Sequence, residues 1–147
     1  MDIGKLAEQL QIDEGVVHEI YKCTEGYKTF GCGHKIVETD PEYGQEVGTK
    51  VSKERINEAF QKDLQDVEID CNRLYEHFGK LPVEVQEIIG NMMFNLGLNR
   101  LGGFRKMKAA IEIGDYKEAA EQMKDSRWYR QVKTRAVRLV RRMENIK

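Results

Sequence analysis

The sequence predicts an α+β fold, mainly α, built as two lobes of unequal size. Three observations carry this expectation. Residues 16 to 37 are aromatic and β-branched and are punctuated by Gly26, Gly31 and Gly33, whereas most of the remaining chain repeats apolar residues at intervals of three and four. Between these patterns runs one unbroken amphipathic stretch from Ser52 to Gly79. The 147 residues also suffice for one core, or one domain pinched in two, without metal or disulfide staples.

Taken in order, residues 1 to 15 read as a helix with Ile3, Leu6, Leu10 and Ile12 on one face, closed by Gly15 and packed on the helical lobe. Residues 16 to 51 form the small β lobe, an antiparallel sheet with tight turns followed by the loop ETDPEYGQEVGTK, which holds Pro41, Gly44 and Gly48. Ser52 then offers a capping oxygen and Glu54 sits at the positive end of a helix dipole, so a connecting helix is expected over 52–79. Its stripe is Ile56, Phe60, Leu64, Val67, Cys71, Leu74 and Phe78, and it would span roughly 39 Å. Residues 80 to 147 repeat helical signals: VEVQEIIGNMMFNL, FRKMKAAIEI, YKEAAEQMK and a basic final helix with Ala136, Leu139, Val140 and Met143 inward. GLNRLGG is the one obvious break among them, and the whole of 1–147 reads as a single domain.

The net charge of −1 hides an asymmetry, because Arg127 to Lys147 carries eight Lys or Arg against the single Glu144. Attraction to an acidic cell envelope is one reading of that basic end and a solvated face is the other; no nucleic-acid motif is present. Cys23, Cys32 and Cys71 form no CxxC pair and are odd in number, which argues for free thiols and a reducing compartment. The start, MDIGKLAEQLQIDEG, lacks an unbroken apolar segment, so neither signal peptide nor membrane insertion is expected. Synthesis in the cytoplasm and delivery by other factors follow, with no metal or cofactor and a monomeric state expected.

Glu14 lies just before Gly15 and the sheet, where a groove between the two lobes is expected. Cleavage of a glycosidic bond needs a protonated carboxyl beside the leaving oxygen and a second group across the sugar to guide water or steady positive charge. Glu14 could be that acid, although a Glu near a helix end is more often merely solvated.

Five motifs in order, IDEG (12–15), YKCTEGYKTFGCGH (21–34), NMMFNLG (91–97), Gly103-Phe104 and SRWYRQVKTRA (126–136), resemble those of the phage-type lysozymes, a family of glycoside hydrolases, and extend over nearly the whole chain. The resemblance implies a two-lobed fold and cleavage of the β-1,4 bond between N-acetylmuramic acid and N-acetylglucosamine in bacterial peptidoglycan. It gives Glu14 the role of general acid and Thr29 that of the threonine completing the catalytic cluster. The middle member departs, because the family has Asp where this chain has Cys23. A thiol, with an ordinary pKa of about 8.5, accepts a proton only as thiolate. Glu14 as acid with Cys23 and Thr29 placing water is the preferred chemistry. Thiolate attack with retention, and a slow or inactive enzyme in which Cys23 is a small apolar substitute, stay open.

The resemblance also implies that Arg135 pairs with the acid and that His34 is structural, with Asp63 as its partner. Phe94 and Asn95 are implied to contact substrate, Asn95 standing for a family glutamine. Lys35, Met107 and Gln122 stand where the family has Leu, Ser and Asn on saccharide, so wall-type preference is expected to differ. Trp128 and Tyr129 are expected to anchor the helical lobe. Two other classes fit the same motifs: a retired lysozyme fold that only binds wall, and a lytic transglycosylase, which needs an acid but no positioned water.

Overall fold

The computed structural model describes all residues from Met1 to Lys147. Eight α-helices surround one short 3-10 helix in chain order, and the sheet is three-stranded, antiparallel and ordered β1-β2-β3, so the fold is α+β and mainly α. Two compact units are present, one of Ala7–Asp66 and one of Met1–Leu6 with Val67–Lys147. The divisions fall inside helices α1 and α2, not at their ends.

Helix α1 spans Ile3–Glu14. Asp2 caps it by accepting from the Lys5 amide at 3.1 Å, and Gly15 ends it at φ +72° with its amide on the Gln11 carbonyl at 2.9 Å. That left-handed position is one a glycine takes without steric cost. Leu6 and Leu10 are buried as the spacing requires, but Ile12 is 76% exposed, because its position turns away from the face they share.

The sheet unit is small. Strands β1 (Val17–Lys22), β2 (Lys28–Gly31) and β3 (His34–Lys35) lay Ile20 and Phe30 onto Val51, Ile56 and Ala59, with Ile36 packed alongside. Gly31, at φ +63°, permits this, since a Cβ there would sit 2.9 Å from Ile56. Residues 38–50 run as successive turns without a helix and return to the sheet through a bridge of Lys50 to Glu19.

Helix α2, Lys53–Leu74, starts where expected, with the Arg55 amide on Ser52 Oγ at 3.1 Å. Ile56, Phe60, Leu64, Val67 and Cys71 are buried along it. It stops five residues short of Gly79. Beyond Leu74 the amides of Phe78, Lys80 and Leu81 bond three residues back, forming a 3-10 turn at Phe78–Lys80, and Leu81 is extended ahead of Pro82. The residue before a proline is barred from helical geometry, so the tighter turn carries Phe78 inward before the chain straightens.

The larger unit is layered helix. It comprises α3 (Val83–Leu96), α4 (Leu98–Gly102), α5 (Arg105–Glu112), α6 (Tyr116–Lys124), α7 (Arg127–Val132) and α8 (Thr134–Glu144). Ile88, Ile89, Met92, Leu101, Ile111, Met123 and Leu139 are fully buried. Gly90 on α3 lets the first turn of α1 approach, since a Cβ would meet Met1 Sδ at 2.9 Å and Leu6 Cδ2 at 3.0 Å. The stretch expected to be a break, GLNRLGG, is instead a helix of one turn, closed on both sides by glycine. The basic final segment is two helices, α7 and α8, hinged at Lys133, whose φ of +56° is the left-handed region.

Candidate active site

The β1–β2 hairpin pairs Tyr21 with Thr29 and Lys22 with Lys28, then closes through the turn Cys23–Tyr27. The Cys23 amide donates to the Tyr27 carbonyl at 2.9 Å and the Gly26 amide to the Cys23 carbonyl at 2.8 Å. The amides of Tyr27 and Glu25 and the Thr29 hydroxyl lie close enough to the cysteine to favour its ionised form. Partial burial pushes the thiol pKa up, but these three donors and the positive charge of Lys35 outweigh it, so Cys23 sits below the ordinary thiol range. Cys71, buried in α2 near Asp70 and Glu68, is pushed up to about 12 mainly by burial. The same side chain is made ionisable at one position and inert at the other.

Thr29 is 2% exposed, and its hydroxyl donates to the Tyr27 carbonyl at 2.9 Å. A hydroxyl has one proton and two lone pairs. With the proton on Tyr27, the Thr29 oxygen is free to accept; with the sulfur ionised, the proton can turn to it instead. The hydroxyl therefore follows the charge state of its neighbour.

Glu14 ends α1 within this same unit. Its carboxyl lies against Gly33, where a Cβ would stand 2.8 Å from Oε1 and 3.1 Å from Cδ, and Gly33 has φ +67°. The loop is fixed to α1 from the other side by Cys32, whose buried thiol donates to the Leu10 carbonyl at 3.6 Å. Tyr21 records the neighbourhood: its pKa is raised by burial first and then by the acidic groups Glu14, Cys23 and Cys32. Glu14 and Cys23 thus both act on one side chain of β1.

Behind the sheet, His34 donates or accepts at both ring nitrogens, Nδ1 at 2.7 Å from Asp63 and Nε2 at 2.8 Å from Asp40. Burial alone would lower its pKa, yet the two carboxylates raise it above the ordinary value. Asp40 is lowered: burial works against this, but the Val37 amide, His34 and Arg55 prevail. Arg55 forks onto Glu42 at 2.9 and 3.0 Å, reaches Asp40 at 3.2 Å and covers the Phe30 ring at 5.6 Å. This network locks the hairpin to α2 and leaves His34 no nitrogen for chemistry.

A family model described as Phage lysozyme matches residues 11–145. The chain belongs to the phage lysozyme family. Its relatives include the pre-baseplate central spike protein Gp5 of Enterobacteria phage T4, 30% identical over 153 aligned positions, and the probable T4-type lysozyme 1 of Dictyostelium discoideum, 30% identical over 157. These alignments cover 91% and 94% of this chain, but the chain spans only 26% of the length of the spike protein against 92% of the Dictyostelium protein. A second Dictyostelium protein, probable T4-type lysozyme 2, is 27% identical over 94% of the chain. At the level of the phage lysozyme family the chain is a glycosidase-type protein of muramidase-like function, and peptidoglycan is the substrate that membership implies.

The remaining candidate residues are unevenly distributed. Lys35 is on β3 with its ammonium 5.0 Å above the Tyr27 ring and 3.7 Å from Glu25. In the helical unit, Gln122 is half-buried beside a depression of about 370 Å³ bordered by Phe104, Arg105, Lys106 and Ser126, and donates to Glu118 at 3.0 Å. Met107, carried over as a sugar contact, is 1% exposed on the apolar side of α5 and lies under the same depression as Gln122. Asn95 accepts from Trp128 Nε1 at 2.8 Å, so its oxygen anchors the buried indole. Phe94 is half-buried, and Arg135 donates to Asn91 Oδ1 at 2.7 Å. Sequence reasoning missed Gly33, Asp40, Arg55 and the two turn amides. Only Gly33 left a signal, as the second glycine of FGCGH.

Proposed function

We propose that the chain is an endo-acting muramidase that hydrolyses the β-1,4 bond between N-acetylmuramic acid and N-acetylglucosamine without a cofactor. The observation that supports this most is that Cys23 and Thr29 meet on one carbonyl, that of Tyr27, in the unit that also carries Glu14. Protonated Glu14 gives its proton to the glycosidic oxygen. Water, held by the Thr29 hydroxyl, attacks the anomeric carbon from the other face and passes a proton to the Cys23 thiolate. The cycle leaves Glu14 ionised and Cys23 protonated, and both reset by exchange with solvent. Phe94, Asn95 and Gln122 are proposed to contact glycan, and the exposed cations Lys133, Arg141 and Lys147 of the C-terminal segment to favour an acidic envelope, an attraction that weakens with salt.

Digestion of purified peptidoglycan with mass analysis of the products tests this. Hydrated muramic acid ends are expected. Anhydro ends would identify a transglycosylase, and wall binding without new reducing ends would identify a retired fold; either result would overturn the proposal.

A further inference from the structure

Lys35 is paired in register with Thr29, and Thr29 in turn with Tyr21, so these three residues form one row across the sheet with side chains on the same face. From the edge of that row the Lys35 side chain reaches the turn that carries Cys23. Its ammonium lies 5.0 Å above the ring of Tyr27 and 3.7 Å from the carboxylate of Glu25. Tyr27 accepts from the Cys23 amide at 2.9 Å, and the amides of both residues favour the ionised sulfur. One side chain therefore grips both ends of the donor set from outside and brings its own charge to the sulfur.

We propose that Lys35 is a positioning residue for the Cys23 thiol: it clamps the 25–27 turn that closes on Cys23 and holds a positive charge on that side of the hairpin. This rests on the reading of Cys23 as the group that receives the proton of water. The side chain thereby serves the chemistry and not the grip on sugar that its alignment suggested. The other groups near the sulfur do not supply that charge. Glu14, Tyr21 and Glu25 are acidic or neutral, Lys28 is turned to the Gln45 carbonyl at 2.7 Å, and Lys22 is exposed on the preceding strand position. Lys35 is about half exposed, so solvent screens its charge and the expected effect is moderate.

The test compares the full chain with its Lys35→Met and Lys35→Arg variants. The pH dependence of Cys23 alkylation by iodoacetamide is followed by peptide mass spectrometry, and kcat and KM are measured on purified peptidoglycan. Cys32 and Cys71 are buried and serve as internal references. Lys35→Met is expected to move the alkylation midpoint of Cys23 up by about half a pH unit, about a threefold loss of thiolate below the midpoint. A matching fall in kcat with KM unchanged should accompany it, and Lys35→Arg should restore both. A midpoint unmoved by Lys35→Met overturns the proposal, and a raised KM with that unmoved midpoint would return Lys35 to sugar binding. The alkylation arm reads the clamp whether or not Cys23 takes part in turnover, so its failure is distinguishable from failure of the hydrolytic mechanism, which the Cys23 variants below address.

Discussion

The two units of this protein are held together by different forces. The helical unit buries a continuous set of aliphatic and methionine side chains, with Ile88, Ile89, Met92, Met123 and Leu139 fully enclosed. The sheet unit packs Ile20, Phe30, Val51, Ile56 and Ala59 as one small cluster, buries Leu10, Phe60 and Leu64 besides, and supplements them with the carboxylates of Asp40, Glu42 and Asp63 around His34 and Arg55. Apolar burial is indifferent to pH, whereas charged networks are not. The difference teaches that the unit carrying the candidate chemistry leans on a protonation-dependent network beside a small apolar cluster, whereas the helical unit, which also holds Arg142 between Glu84 and Glu87, rests mainly on apolar burial.

Substitutions can sharpen or break this contrast, and the largest effect is expected at Glu14. Glu14→Gln keeps the shape and removes the acid, so reducing-end release should fall by about 10² to 10⁴-fold while the urea midpoint stays put. In the helical unit, Leu139→Ala should destabilise by about 2–5 kcal/mol in urea titration, by the same amount at pH 5 and pH 8. A loss that varied with pH would break the contrast. Gly33→Ala joins backbone and site: a left-handed φ costs a residue with a Cβ about 1–2 kcal/mol, and the new carbon would displace the Glu14 carboxyl. Turnover is expected to drop about 10²-fold, out of proportion to the lost stability.

The smallest effect should be the pH dependence of the sheet unit. His34 has a raised folded value, so its stabilising contribution is complete below about pH 6.5 and is lost as pH rises through that folded value. Asp40 is depressed, so its contribution is complete above about pH 3.8 and is lost as pH falls through its folded value. Stability from this network is therefore greatest between about pH 4 and pH 6.5. His34→Asn should flatten the decline on the alkaline side, as measured by urea midpoints at half-unit steps; an unchanged slope would remove His34 from the account.

Much of this architecture was legible in the residues. The Ser52 cap, the α2 stripe from Ile56 to Cys71 and the glycines that punctuate the hairpin all act through local physics, and the His34–Asp63 pair followed from the family motif. Other features arise from tertiary placement. Nothing about Lys133 marks it as the left-handed hinge between α7 and α8, because lysine is not a residue that seeks that conformation. Helix α2 ends at Leu74, ahead of Gly79, and the chain tightens into a 3-10 turn before Pro82. Met107 is buried on the apolar face of α5 and also borders the Gln122 depression, a double placement that only the packing of α5 sets. Asp40 and Arg55 are fifteen positions apart and meet only once the loop has folded back. The donors on Cys23 are backbone amides, which no side-chain motif records.

The comparison between the units turns on whether the thiol of the sheet unit takes part in bond cleavage. The most direct measurement is the initial rate of reducing-end release from purified peptidoglycan for the unmodified chain, Cys23→Ala and Cys23→Asp, each shown to be folded. The account expects Cys23→Ala to be slower by about 10²-fold and Cys23→Asp, which restores a proton acceptor, to recover most of the rate. Equal rates for Cys23→Ala and the unmodified chain would contradict it.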